Sequence, residues 1–191
     1  MRNRAVEIMN NTFDGNPAVS FSIGSEGNYS FRKKRLATFM FDYCHRRNGV
    51  RLSQNQKGLI CFYKSDFQVS WLLTFWDELC VGLLAIGPLR LGDVLKRSKE
   101  VKKRHRRFEQ FIHCWYLGVE REYRDMKTAI ELKDMLLKES ASQGLPILAE
   151  TTMLQNKHVY ERIGFKTYDT FELRGMKTYC LVYQAETLLG L

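Results

Sequence analysis

The sequence lacks the features that would divide a chain into parts. It has three prolines in 191 residues, no internal repeat and no spacer rich in serine or glycine. With nothing to mark a linker, we expect a single domain over residues 1–191. The chain is long enough for a sizeable core. Its 45% hydrophobic and 27% charged residues exclude a mainly disordered protein.

Cysteine and histidine patterns typical of metal or redox sites are also missing. The five cysteines are odd in number and include no Cys-x-x-Cys pair, and most lie among apolar neighbours, as Cys61 does. This favours buried free thiols in a reducing compartment over disulfides or zinc. His45, His105 and His158 have no metal-ligand spacing with acids or cysteines, so we expect no metal. No Ser-His-Asp arrangement follows from spacing.

A long uninterrupted apolar run is absent as well. The first 20 residues contain no signal-peptide core. The most apolar stretch, residues 69–87, has Asp77 and Glu78 at its middle, and two acids there make a membrane span expensive. We therefore expect a buried amphipathic helix in a cytoplasmic protein with no membrane partner.

Positive charge is abundant and concentrated in one segment. The net charge is +9 with a pI near 9.4, and residues 96–107 carry eight Lys or Arg against a single acid, Glu100. Such a segment can bind nucleic acid, an anionic membrane or a polyanionic cofactor. The other reading, which we favour, is a solvated helix face. Nucleic acid ranks last because no aromatic platform is interleaved with the basic residues.

Hydrophobic periodicity and turn residues predict an α/β sheet. In the first half we expect helices over residues 4–13, 28–47, 67–86 and 91–107, and a hairpin of 50–53 with 59–63. In the second half we expect strands over 108–119, 146–150, 165–173 and 178–184, and helices over 123–143 and 156–163. The inward faces should carry Leu36, Phe39, Met40 and Tyr43 in the second helix, and Ala129, Ile130, Met135 and Leu136 in helix 123–143, where Leu132 flanks that face.

One string near the C-terminus carries a family resemblance. Asn156-x-x-x-Tyr160-Glu-Arg-Ile-Gly164-Phe165 follows a short strand ending in Glu150-Thr. It resembles the C-terminal motif of the GNAT superfamily of acetyl-CoA-dependent N-acetyltransferases, particularly the puromycin-N-acetyltransferase-like, small-molecule branch. The resemblance covers residues 108–183. In the N-terminal half only the order of helices and strands matches.

A second segment resembles the central strand and pyrophosphate loop of that superfamily. Leu117-Gly-Val119 is followed by residues 124–129, where the family loop reads Gln/Arg-x-x-Gly-x-Gly/Ala and its backbone N–H groups meet the cofactor's diphosphate. Arg121 stands in place of a common Pro, and Lys127 in place of the first Gly. A lysine there could add charge or obstruct the phosphate. The resemblance implies cofactor binding by Leu117, Val119, Arg124, Asp125, Met126, Lys127, Thr128, Ala129 and Asn156.

The resemblance also implies the chemistry. Asn156 would hydrogen-bond the pantetheine arm, and Tyr160, a neutral phenol, would protonate the departing thiolate. Backbone groups near Leu117 and Val119 would polarise the thioester. The alternatives are a helix N-cap for Asn156 and an anchoring role for Tyr160.

The sequence offers two candidates for the general base that takes the proton from the amine. Glu150 is the first candidate because it ends a strand at the expected gap, and His113 is the second because its ordinary pKa suits the task. The alternatives are a strand-end carboxylate in a salt bridge and a core histidine bonded to backbone.

These residues together predict a fold and an activity. We expect a GNAT-like α/β fold, a mixed central sheet flanked by helices with a splayed strand pair. The implied activity moves an acetyl group from acetyl-CoA to an amine of a small molecule by direct transfer. The alternative is a GNAT-fold protein with lost catalysis that acts as a CoA- or ligand-binding or interaction module. A homodimer stays open.

Overall fold

The protein is built around a six-stranded mixed sheet. The computed structural model describes residues 1–67, 70, 75, 79–120, 122 and 126–184. The strands are β1 Val50–Leu52, β2 Gly58–Lys64, β3 Ile112–Val119, β4 Ile147–Thr151, β5 Lys166–Leu173 and β6 Met176–Tyr183. The helices are α1 Arg2–Thr12, α2 Pro17–Ile23, α3 Tyr29–His45, α4 Pro88–His105, α5 Met126–Gln143 and α6 Leu154–Arg162, with a π-helical turn at Gly82–Ile86.

The sheet divides where its two parallel strands meet. The strand order is β1-β2-β3-β4-β6-β5, and β3 and β4 are parallel while the other neighbours are antiparallel. Within the described strands, β3 and β4 pair only at Ile112 with Ile147 and at His113 with Leu148. The two strands therefore separate towards their carboxyl ends and leave a gap between residues 114–119 and 149–151. The predicted fold class, including the splayed pair, is confirmed.

A bulge in β3 lies at the start of this gap. The register with β2 shifts so that Cys61 pairs with Tyr116 and Phe62 with Cys114, which leaves Trp115 as the extra residue. A bulge lets two consecutive side chains point to one face of a sheet. Trp115 and Tyr116 accordingly pack against the same core cluster, whereas Cys114 and Leu117 pack against the opposite one.

Each face of the sheet has its own core, because successive strand residues point to opposite sides. One face is covered by α5 and α6, and its core includes Ile60, Ile112 and Leu132. The other face is covered by the N-terminal helices, and its core includes Ile8, Phe41 and Leu59. The gap between β3 and β4 therefore borders a different core on each face of the sheet.

Several predicted features of the helices need correction. Helix α2 was not expected; Asn16 caps it by accepting a hydrogen bond from the Ala18 N–H at 3.0 Å. The predicted helix 67–86 falls partly outside the described residues, and its last five residues form the π-helical turn. In α5 the inward face is rotated from the one expected, since Ala129 and Ile130 are exposed. In α3 the predicted face is confirmed, because Leu36, Phe39, Met40 and Tyr43 all pack in or against the core. The buried residues are Lys33, Ala37, Met40, Phe41 and Cys44 in α3, and Thr128, Leu132, Leu136 and Ser140 in α5.

Candidate active site

Tyr160 is fixed beside the gap by the turn that ends α6. Gly164 has φ +98°, a conformation that favours glycine, and it turns the chain so that the Phe165 N–H donates to the Tyr160 carbonyl at 3.1 Å. Phe165 is buried, and its ring meets the Tyr160 ring edge-on at 5.0 Å between centroids. The Gly-Phe pair of the motif therefore sets the position of the tyrosine.

The Tyr160 hydroxyl lies close enough to the Cys114 thiol on β3 for each group to affect the pKa of the other. Burial first, and then the neighbouring Cys114, raise the pKa of Tyr160 well above its usual value. Burial also raises the pKa of Cys114 to about 12. Both groups are therefore neutral at pH 7, and Tyr160 retains a proton to donate at the edge of the gap.

Asn156 lies one helical turn before Tyr160 on α6, so the two side chains share a face. It is exposed, and its amide donates to the Met153 sulfur at 3.7 Å. The N-cap of the helix is Met153, so the alternative reading of Asn156 as a cap is wrong. Its side chain is available to a ligand that lies along this face.

The predicted phosphate loop is described in part. Arg124 and Asp125 lie outside the described residues, and the backbone of Met126 begins α5. Lys127 and Ala129 are exposed in the first turn of α5, where backbone N–H groups have no partner within the helix. Thr128 instead points inward, and its hydroxyl accepts a hydrogen bond from the Asn55 amide at 2.8 Å.

The strand residues assigned to the cofactor line the gap. Leu117 and Val119 are half-buried on β3, beyond the last pair with β4. Their strand is hydrogen-bonded to β2 along its other edge as far as Val119. The edge of β3 that faces the gap is therefore the one that can bind an extended ligand.

Glu150 lies on the opposite face from Tyr160, inside a buried chain of hydrogen bonds. One carboxylate oxygen is 2.7 Å from His105 Nε2, and the other is 2.7 Å from His113 Nε2. His113 Nδ1 is in turn 2.7 Å from the Tyr63 hydroxyl. The side chains of Glu150, His105 and His113 are each less than a tenth exposed.

The two histidines keep Glu150 ionised. Burial by itself would raise the pKa of Glu150, but the charge of His113 and the hydrogen bonds from His105 and His113 outweigh it. The pKa of the carboxyl is therefore held well below its usual range. The alternative of His113 as a histidine bonded to backbone is wrong, because its two ring nitrogens contact the side chains of Tyr63 and Glu150.

His105 is the site residue that the sequence did not indicate. It ends α4, 45 residues before Glu150 along the chain, and it follows a basic run that favoured a solvated face. Its ring packs edge-on against Phe111 and His113. Although His105 has no metal-ligand spacing along the sequence, the fold brings the ligand atoms of His105, His113 and Glu150 within 4.8 Å of one another.

Aromatic side chains lie next to the hydrogen-bonded network of Glu150 on the same face of the sheet. The half-buried Trp115, at the bulge, meets Phe39, Tyr43 and Tyr63 edge-on at 5.2–6.0 Å between centroids. It also stacks over His113 at 6.5 Å. The polar network thus borders an aromatic wall at the gap.

The basic segment, residues 96–107, lies mostly on α4, and some of its side chains form ion pairs. Arg104 and Arg107 bind Asp169 at 3.2 and 2.9 Å, and Arg104 also binds Glu100 at 2.7 Å. Five others are exposed: Lys96, Lys99, Lys102, Lys103 and Arg106. Among the described residues, no helix has the length and apolar character needed to cross a bilayer.

Known proteins resemble this chain in structure and not in sequence. No family model matches it, and no curated protein sequence does. The mosquito arylalkylamine N-acetyltransferase like 5b superposes with a TM-score of 0.64 at 14% identity, covering 96% of this chain and 95% of that one. The Drosophila melanogaster polyamine N-acetyltransferase superposes with a TM-score of 0.66 at 12% identity, covering 96% and 95%.

A third similar structure bears a different name. The C-terminal condensation domain of Ebony, solved with beta-alanyl-dopamine, superposes with a TM-score of 0.61 at 9% identity, covering 96% of this chain and 94% of that one. Together these likenesses show that the chain has the fold of the GNAT N-acetyltransferases. Because the identities are so low, the chemistry has to be argued from the residues of this chain.

Proposed function

We propose that this protein is an N-acetyltransferase that moves an acetyl group from acetyl-CoA to an amine of a small molecule by direct transfer. The observation that carries the proposal is the gap between β3 and β4, with the neutral Tyr160 on one face and the ionised Glu150 on the other. Such transfer needs a proton donor for the departing sulfur and a proton acceptor for the amine.

The residues around the gap fit the cofactor that this reaction requires. The exposed first turn of α5, with Lys127 and Ala129, would hold the diphosphate. The free edge of β3 at Leu117 and Val119, with Asn156 opposite, would hold the pantetheine arm. Arg124, Asp125, Met126 and Thr128 complete the proposed loop, Thr128 through its backbone because its side chain points inward.

The proposed step balances its protons across the sheet. Acetyl-CoA supplies an activated acetyl group as a thioester. The amine nitrogen attacks the thioester carbon, so that a C–N bond forms and the C–S bond breaks. Tyr160 gives its proton to the sulfur, and the amine proton passes to the network of His113 and Glu150. Backbone N–H groups near Leu117 and Val119 stabilise the developing charge on oxygen.

The acceptor would approach from the face that carries the aromatic wall. Trp115 is half-buried there and stacks over His113, which places an apolar surface next to the proposed proton acceptor. Two of the similar structures bear names of amine acetyltransferases, which supports an amine as the acceptor.

Cofactor binding is the first test. Calorimetric titration of the protein with acetyl-CoA should give one site per chain, and Lys127→Ala should weaken binding several-fold because it removes a charge near the phosphates. Lys138→Ala is the matched control, since Lys138 is exposed near the other end of the same helix. No binding at millimolar cofactor would overturn the enzymatic proposal and leave the fold intact.

A binding or interaction module without catalysis is the second candidate. It is favoured by Lys127, which replaces the glycine expected beside the phosphate, and by the Ebony domain, whose name shows that this fold is not confined to acetyltransferases. If Lys127→Gly raised affinity many-fold from almost none, we would prefer this candidate. A thiol-release assay over a set of small amines decides between the two, because a non-catalytic module releases no CoA.

A further inference from the structure

We propose that His105, His113 and Glu150 form a binding site for a zinc ion. Their ligand atoms, two imidazole nitrogens and a carboxylate oxygen, lie within 4.8 Å of one another. The three side chains are 8%, 6% and 8% exposed. They come from the end of α4, from β3 and from β4, so the fold itself brings them together. The inference of zinc binding does not rest on the proposed acetyl transfer and goes beyond it.

The ligand set matches the preferences of zinc. Two histidines and one glutamate, with a fourth position open to water, make up one of the common zinc sites in proteins. Imidazole nitrogen favours zinc over magnesium or calcium, which prefer oxygen ligands. Tetrahedral zinc with bonds of about 2.0–2.1 Å holds its ligand atoms roughly 3.3 Å apart. The cluster would therefore have to adjust by no more than about 1.5 Å.

The surroundings of His113 already orient it as a ligand. Zinc-bound histidines almost always bond through their second ring nitrogen to another group, which fixes the ring. His113 Nδ1 is 2.7 Å from the Tyr63 hydroxyl. With zinc on Nε2, Nδ1 would carry the proton and donate it to Tyr63. Without zinc, Nε2 carries a proton and donates to Glu150.

One nearby charge opposes the ion. The guanidinium of Arg97 is close enough to Glu150 for the carboxylate charge to act on it. Because the guanidinium and the zinc ion are both positive, their repulsion weakens the attraction of the site for zinc. We therefore expect Arg97→Gln to bind zinc several-fold more tightly than the wild type.

Occupancy would also affect the proposed transfer. Zinc would bind the Glu150 carboxylate and the His113 Nε2, and both residues belong to the network that is proposed to accept the amine proton. A loaded site could not accept that proton.

The experiment measures zinc binding directly, without acetyl-CoA. The full-length protein with Cys80→Ser, which removes the exposed thiol, is stripped with a chelator and titrated with zinc against a chromophoric competitor. We expect one zinc per chain. His113→Gln and Glu150→Gln should weaken binding about 100-fold or more, and Tyr63→Phe about tenfold. His158→Gln is the control, because His158 is exposed on α6, and it should bind as the parent does.

Binding of cobalt in place of zinc gives a second readout, in which His105, His113 and Glu150 are left unchanged. Cobalt in the Cys80→Ser protein should show the ligand-field spectrum of a nitrogen- and oxygen-bound ion, without thiolate charge-transfer bands. Circular dichroism checks that the substituted proteins are folded. A protein that binds no zinc, a thiolate band, or unchanged affinity in folded His113→Gln would overturn the proposal. If His113→Gln unfolds, His105→Gln at the end of α4 provides the same comparison.

Discussion

The two faces of the sheet hold their polar groups in opposite ways at the gap. On the face of α5 and α6, Tyr160 contacts Cys114 and Phe165 in largely apolar surroundings. On the other face, Glu150 is hydrogen-bonded on both oxygens and belongs to a chain that runs from Tyr63 to His105. Consecutive residues of one strand, His113 and Cys114, connect the two environments.

In the proposed transfer, this difference would separate the proton donor, Tyr160, from the proton acceptor, the network of Glu150. Apolar burial raises the pKa of Tyr160, whereas the two histidines hold the pKa of Glu150 low. Environments that push two titratable groups in opposite directions are typical of acid–base pairs in active sites. A single strand, by alternating its side chains, therefore suffices to keep a neutral phenol and an ionised carboxylate on opposite faces of the sheet beside the gap.

Removing the phenol of Tyr160 should give the largest effect. If Tyr160 donates the proton to the sulfur, Tyr160→Phe should lower kcat by about 10²–10⁴-fold and leave the fold unchanged. Tyr168→Phe is the matched control, because the Tyr168 hydroxyl is buried without a hydrogen-bond partner among the described residues. Steady-state thiol release measures both. Equal activity of the two variants would remove the donor role from this face.

Breaking the network on the other face should give the next largest effect. Glu150→Gln removes the negative charge that draws a proton towards His113, so kcat should fall about 10²-fold. The double variant with His113→Gln should be little slower than either single variant, because residues that act as a unit are not additive. Additive losses in rate would mean that the two groups work separately.

The fold followed from local patterns, but the orientation of helix α5 did not. Strand boundaries came from alternating apolar runs and turn residues, which act over short distances. In α5 apolar residues surround more than one side, so periodicity left its inward face ambiguous. Packing on the sheet selected Leu132 in place of Ala129 and Ile130, and it buried Lys33, whose ammonium pairs with Asp14 at 2.6 Å.

The two halves of the site also differ in how far the sequence could predict them. Tyr160 and Asn156 lie in one short string with Gly164 and Phe165, so their arrangement is local and could be predicted. The network around Glu150 joins residues 63, 105, 113 and 150, which are distant in sequence. Nothing in the basic run around His105 indicates that its last helical residue turns inward against Phe111.

The aromatic wall should affect the acceptor and not the cofactor. Trp115→Phe keeps an aromatic ring against Phe39 and Tyr43 but loses area beside His113. We expect the KM for the amine to rise about tenfold, since the lost burial is worth on the order of 1–2 kcal/mol. The KM for acetyl-CoA should not change. A rise in the acetyl-CoA KM alone would place the acceptor elsewhere than this face.

Glu120 is a second buried and paired carboxylate, and it tests whether burial and pairing alone give a carboxylate the catalytic role proposed for Glu150. Glu120 follows β3 and is paired with Arg4 and Asn11 of α1. Burial acts to raise the pKa of Glu120, but the hydrogen bonds from Arg4 and Asn11 outweigh it and lower the pKa. Since its partners are structural, Glu120→Gln should change the transfer rate by less than about twofold while costing about 1–3 kcal/mol of unfolding free energy.

The pH dependence of that stability follows from the direction of the shift. A carboxyl whose pKa is lower in the folded state stabilises the protein above its unfolded pKa, about 4.3, and loses this contribution as pH falls through the folded value. The difference in stability between wild type and Glu120→Gln should therefore be full at pH 7 and shrink below about pH 4. Urea unfolding at a series of pH values measures it. A difference that stays constant down to low pH would mean that Glu120 contributes through packing and not through its charge.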